Sequence, residues 1–98
     1  MERQDAFVVV SREREYQDKT YNPQQVLASG LTREQRDKDV MGHLVMLDTY
    51  VRKAQDAWTN GNGSSFESLR QIAKIAAIAV RAIERCADSE RLVTEGLR

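Results

Sequence analysis

A chain of 98 residues and 11.2 kDa holds at most one small domain, and 41% hydrophobic residues with a single Pro give it enough apolar material to pack rather than remain a disordered tail. Fifteen Lys and Arg cancel fifteen Asp and Glu, so no overall field draws the molecule to nucleic acid or anionic lipid, and no sequence-specific nucleic-acid partner is expected. The lone Cys86 makes no internal disulfide, no apolar run nears the roughly 20 residues of a membrane span, and Glu2 and Asp5 stand where a signal peptide would carry basic residues. A cytoplasmic protein with no membrane partner is expected, and disulfide-stapled toxins, zinc fingers and basic nucleic-acid binders are excluded.

Residues 5–19 open with Phe7-Val8-Val9-Val10 and continue into charged residues. A valine run suits a strand, but a lone strand has no pairing partner in an otherwise helical chain, so a short helix is predicted. Residues 20–31 read as an irregular connection with Val26, Leu27 and Leu31 tucked onto the helices. Thr32 and Gln35 have the capping-box spacing and start a second helix. Val40, Leu44, Leu47, Val51, Ala54 and Trp58 then recur at helical spacing up to Asn60-Gly61-Asn62-Gly63, and they form its predicted core stripe.

Ser64 and Glu67 repeat the capping-box spacing and start a third helix predicted to reach about Ala87. Leu69, Ile72, Ala73, Ala76, Val80, Ile83 and Ala87 make its main core stripe, with a second apolar arc of Ile75, Ile78, Ala79, Ala82 and Cys86 beside it. One neighbouring helix cannot cover so wide an arc. The expected fold is all-α: a helical hairpin of two long helices plus a short N-terminal helix, completing a four-helix-type bundle by homo-oligomerisation. Residues 1–98 form a single domain whose ends, 1–11 and 88–98, are flexible or interface-forming.

The chain has no Gly-rich phosphate loop, no Cys-x-x-Cys and no His pair at metal spacing. Cys86 and His43 are the only residues of their kinds, and Cys86 reads as an inert packing residue rather than half of a dyad. His43, Met46, Tyr50, Lys53 and Ala57 share a flank of the second helix. That flank is either a boundary strip with wet tips or a surface able to hold a base and a phosphate. Arg70, Lys74, Arg81 and Arg85 share a face of the third helix, either solvated or phosphate-binding. The run Arg12, Arg14, Tyr16, Lys19 and Tyr21 is equally ambiguous because Glu13, Glu15 and Asp18 interleave with it.

The order of Arg-Glu-Tyr-Gln-Asp-Lys at 14–19, Ala-Gln-Asp-Ala-Trp at 54–58, a Gly-rich turn, and Glu-Ser-Leu-Arg-Gln-Ile-Ala-Lys-Ile-Ala-Ala-Ile-Ala-Val-Arg-Ala-Ile-Glu at 67–84 resembles the small MazG-like proteins common in bacteriophages. These belong to the all-α nucleotide pyrophosphohydrolase superfamily. The resemblance covers roughly residues 12–86 and implies a dimeric or tetrameric helical bundle with nucleotide sites between helices. It also implies Mg²⁺ held by glutamates three or four residues apart, because the hard cation takes oxygen ligands.

Counting back from Trp58, Tyr50 and Lys53 occupy the positions of the paired glutamates, and Gln71 stands on the following helix where an acid is expected, with Lys74 one turn later. A lysine attracts a phosphate but cannot bind the metal. The leading expectation is therefore a non-catalytic binder of a nucleotide or nucleotide-derived small molecule, with no catalytic residue, metal or cofactor. Tyr50, His43 and Trp58 would stack on a base, Lys53, Lys74 and Arg70 pair with phosphates, and Gln71 meet a base edge or ribose, with Tyr16 and Arg12 adding to the site. For a phage protein in a host cytoplasm, one use is to sequester a nucleotide signal of host defence. One alternative is a Mg²⁺-dependent pyrophosphohydrolase using Asp48, Asp56, Glu67 or Glu84. The other is an interaction module that docks a partner helix on its Ile75–Ile78 face.

Overall fold

The N-terminal apolar run is helical, as the absence of a partner strand requires. The computed structural model describes residues 1–60 and 65–98 and places Arg3–Lys19 in α1. The Asn60-Gly61-Asn62-Gly63 turn and the cap expected at Ser64 involve residues outside those described. The remaining helices are α2, Arg33–Asp37; α3, Val40–Asn60; α4, Ser65–Arg85; and α5, Arg91–Glu95. Among the described residues the only β pairing is an isolated bridge between Val26 and Thr32.

The connection from α1 is held by its own backbone. Asn22 Oδ1 accepts from the Gln24 amide, and a turn closes from Leu27 to Gly30, whose φ of 88° favours glycine. Val26 and Leu31 remain exposed instead of tucking onto the helices, because the bridge directs this loop outward; Leu27 alone is half-buried.

The capping box at Thr32 and Gln35 forms in both directions. The helix it starts lasts only to Asp37, so the single long helix expected from Thr32 is two helices with a corner at Lys38–Asp39. Asp39 Oδ1 accepts from the Met41 amide and starts α3 afresh. Gly42 makes the corner possible, since a Cβ there would lie 2.8 Å from the Arg36 carbonyl oxygen.

α4 is the hub. It runs antiparallel to α3, joined at one end by Ser68 Oγ donating to the Ala54 carbonyl and at the other by contact between Cys86 and His43. α1 lies parallel to α4, with Arg14 Nε on Glu84 at 2.6 Å. The faces turned inward are not those the stripes predicted. Val40, Leu44, Val51 and Trp58 of α3 and Leu69, Ile72, Val80 and Ile83 of α4 are exposed. The fully buried apolar side chains are Ala77 and Ile78. Ile75, Ala79, Ala82 and Cys86 lie half-buried toward α3, so the second arc rather than the main stripe packs within the chain.

Candidate functional site

Where α1, α3 and α4 meet, side chains from all three line a cavity of about 190 Å³. α1 contributes Glu13, Tyr16 and Gln17, and the following turn adds Thr20 and Tyr21. α3 contributes Met46 and Tyr50, spaced to point the same way, and α4 contributes Lys74, Ile78 and Arg81 at the same kind of spacing. Arg33 closes one side. Three cations face one carboxylate, and three tyrosines supply rings and hydroxyls.

Arg81 is the centre of this arrangement. Its side chain is 6% exposed and has no ion pair among the described residues. Nη2 lies 2.7 Å from the Met46 sulfur, a weak acceptor, and Nε has no partner. Burial pushes its pKa down, as do Arg85, Arg36 and Arg14, against the pull of Asp37. Glu13 lines the same cavity, and the carboxylates beyond it are held by other arginines. Asp37, only 1% exposed, accepts from Arg85 at 2.9 Å and Arg36 at 3.2 Å; Asp18 holds Arg14 and Arg85; Glu84 holds Arg14. Arg85 also lies over the Tyr21 ring, 4.1 Å from its centroid, and fixes one wall of the cavity. Gln17 Oε1, buried at the same cavity, has no donor partner.

A hollow with surplus positive charge, an unsatisfied guanidinium and an unsatisfied amide oxygen suits an anion that also carries an N–H or O–H group. A groove of about 670 Å³ adjoins it, sharing Glu13, Tyr16 and Lys74 and adding Arg12, Phe66 and Arg70.

The predicted site residues are thus dispersed. Tyr50, Lys74 and Tyr16 line the cavity, while Arg12 and Arg70 line the groove. Lys53 sits outside with its ammonium 4.6 Å from the Tyr50 ring centroid. Gln71 is half-buried with an unpartnered Oε1 but does not line the cavity, and Trp58 is exposed on another face of α3. Arg81 and Gln17 were absent from the predicted set. Arg81 was visible as one of four cations on a face, but spacing alone could not tell that α1 would cover it.

His43, read from the sequence as a base stacker or else a wet-tipped boundary residue, is 2% exposed and does not line the cavity. Its Nδ1 lies 3.3 Å from the Asp39 carbonyl and 3.4 Å from Cys86 Sγ. Burial lowers the imidazole pKa and raises the thiol pKa, which favours the neutral pair over a thiolate–imidazolium pair. Of the acids considered for Mg²⁺, Asp48 pairs with Arg52, Glu67 with Arg70 and Glu84 with Arg14. Among the described residues no three of His, Cys, Asp and Glu gather to hold a metal ion, so the residues present do not fit the magnesium site of a pyrophosphohydrolase. No described helix is long and apolar enough to cross a membrane. Comparison with protein-family models, curated proteins and solved structures gives no match to this chain.

Proposed function

We propose that this chain is a non-catalytic nucleotide-binding protein, acting as a homo-oligomer, that holds the phosphate end of its ligand against Arg81. The supporting observation is a guanidinium buried at a cavity wall with no ion pair of its own among the described residues, while Asp18, Asp37 and Glu84 are each held by another arginine. Leaving such a charge unpaired costs several kcal/mol, which an anionic ligand offsets. The 190 Å³ hollow is smaller than the roughly 300 Å³ at which organic ligand sites begin. It fits a phosphate and its first neighbours, with sugar and base extending into the groove past Tyr16. With no acidic cluster for a metal among the described residues, the reading is of a ligand retained rather than cleaved, and sequestration of a nucleotide signal is the use proposed.

The test is a thermal-shift and calorimetric series with mononucleotides, nucleoside triphosphates and cyclic dinucleotides, each with and without Mg²⁺, followed by chromatography of the ligand. Stabilisation without Mg²⁺, recovery of intact nucleotide and loss of the response in Arg81→Gln are expected. Absence of any nucleotide response overturns the reading. Mg²⁺-dependent consumption replaces it with pyrophosphohydrolysis.

A further inference from the structure

The walls of the Arg81 cavity differ in what they offer a ligand. α4 brings Lys74 and Arg81, and Arg33 closes one side, so these charged groups only donate hydrogen bonds. α1 brings Glu13 and Gln17, four residues apart and therefore on one face of that helix. Gln17 Oε1 is buried and accepts from nothing. Glu13 is half-buried and forms no ion pair among the described residues, although three cations line the same hollow. An ionised carboxylate has acceptor sites alone.

A carboxylate and a bare carbonyl oxygen repel a fully deprotonated anion, since each turns its lone pairs toward the anion's across a hollow of about 190 Å³. They suit an anion that carries a hydrogen. A phosphate with a free terminus meets that demand near neutrality, because its second pKa is about 6. A sulfate of the same shape has no hydrogen at that pH. A phosphodiester has none either, because its second ester bond takes the oxygen that would carry it.

We propose that Glu13 and Gln17 make the cavity selective for a terminal phosphate monoester bound with its proton. Arg81 and Lys74 donate to the bare phosphate oxygens, and the α1 pair accepts from the P–OH. The proposal deepens the reading of Arg81 as the phosphate site and rests on it. It admits nucleotides with a free terminal phosphate and excludes sulfate esters and cyclic nucleotides, whose phosphates are all diesters. Gln17 can turn its amide and donate instead of accepting. Glu13 has no donor to turn, which makes it the stricter of the two and the position to vary.

Calorimetric titration of the full chain tests this at about pH 6, where a phosphate monoester carries its proton about half of the time. The probes are inorganic phosphate, sulfate, the common nucleoside 5′-monophosphates and adenosine 5′-sulfate. Inorganic phosphate should bind roughly ten- to a hundredfold tighter than sulfate, and adenosine 5′-monophosphate should exceed the 5′-sulfate by the same factor, because the sulfates leave acceptor facing acceptor. In Glu13→Gln the amide can donate, so the sulfates should bind about as well as the phosphates, whereas Arg81→Gln should lose every probe. Should Glu13→Gln fail to fold, the preference of the native chain decides alone. Sulfates that bind the native chain as tightly as phosphates overturn the selectivity and leave the anion site standing. A preference that survives Glu13→Gln overturns the role given to Glu13. Selectivity with no monophosphate tighter than inorganic phosphate supports the proposal and overturns the nucleotide reading. Absence of binding by every probe overturns both.

Discussion

At Arg81, burial and charge oppose each other, and no ion pair among the described residues reconciles them. A methionine of similar length would fill the same space beside Met46 without the unpaired charge. Arg81→Met is expected to raise unfolding stability by about 1–3 kcal/mol while abolishing anion binding. Urea unfolding and calorimetry on the same preparation check both halves. A loss of stability would mean that the guanidinium has a structural role and weaken its assignment to a ligand. His43 is a second buried polar side chain, and its depressed pKa makes the fold pH-dependent. The unfolded chain binds the imidazole proton more readily than the folded one. The stabilising contribution is therefore full above the ordinary value of 6.5 and is lost as pH falls through 6.5 toward the lower folded value. Acidification also acts on other groups of the chain, so the comparison is with His43→Gln. Between pH 7.5 and 5.5 the native midpoint in urea should fall further than that of the variant, and equal falls would show that His43 binds protons alike in both states.

Among the elements, the corner between α2 and α3 is the most exacting, because a Cβ at Gly42 would meet the Arg36 backbone as well as its side chain. Gly42→Ala places a methyl 2.7 Å from Arg36 Cγ and 2.8 Å from its carbonyl oxygen, and relief requires α2 to move with Asp37 and its two arginine contacts. An alanine inside a helix ordinarily gains up to about 1 kcal/mol over glycine, but overpacking of 1–3 kcal/mol should exceed that gain. A lower urea midpoint is expected, and a higher one would show the corner to be soft. The same corner marks the limit of what periodicity conveys. Helix existence was legible from 4,3,4,3 spacing and from the Thr32–Gln35 box, both of which are local. The break at Lys38–Asp39 was not, since it depends on a close approach between α2 and α3. Nor was the inward face. α4 carries two adjacent apolar arcs, and spacing shows that both avoid water without showing which one its own chain covers. The cavity was half legible for the same reason: Tyr50 and Lys74 followed from the flank pattern, whereas Arg81 acquired its role only when α1 docked over it through Arg14, Asp18 and Glu84.

For the whole molecule, the apolar stripes left exposed on α3 and α4 and the proposed self-association predict how stability responds to concentration. If the stripes of α3 and α4 are buried only in a dimer, folding and association are one equilibrium, and the melting temperature belongs to the dimer rather than to the chain. Each tenfold increase in protein concentration should then stabilise the dimer by about 1.4 kcal/mol, a shift of a few degrees for a domain of this size. Melting curves across a hundredfold range of concentration, followed by circular dichroism, measure this directly. Nucleotide adds a separate term, because the cavity and the apolar face lie on opposite sides of α4. Saturating ligand should raise every melting temperature while leaving the concentration slope unchanged, and calorimetry should give one ligand per chain. A slope that disappears on ligand binding would place the ligand across the seam and make the site a joint product of two chains. A melting temperature independent of concentration from the outset would mean that the chain holds its fold alone, with its exposed stripes left to another occupant.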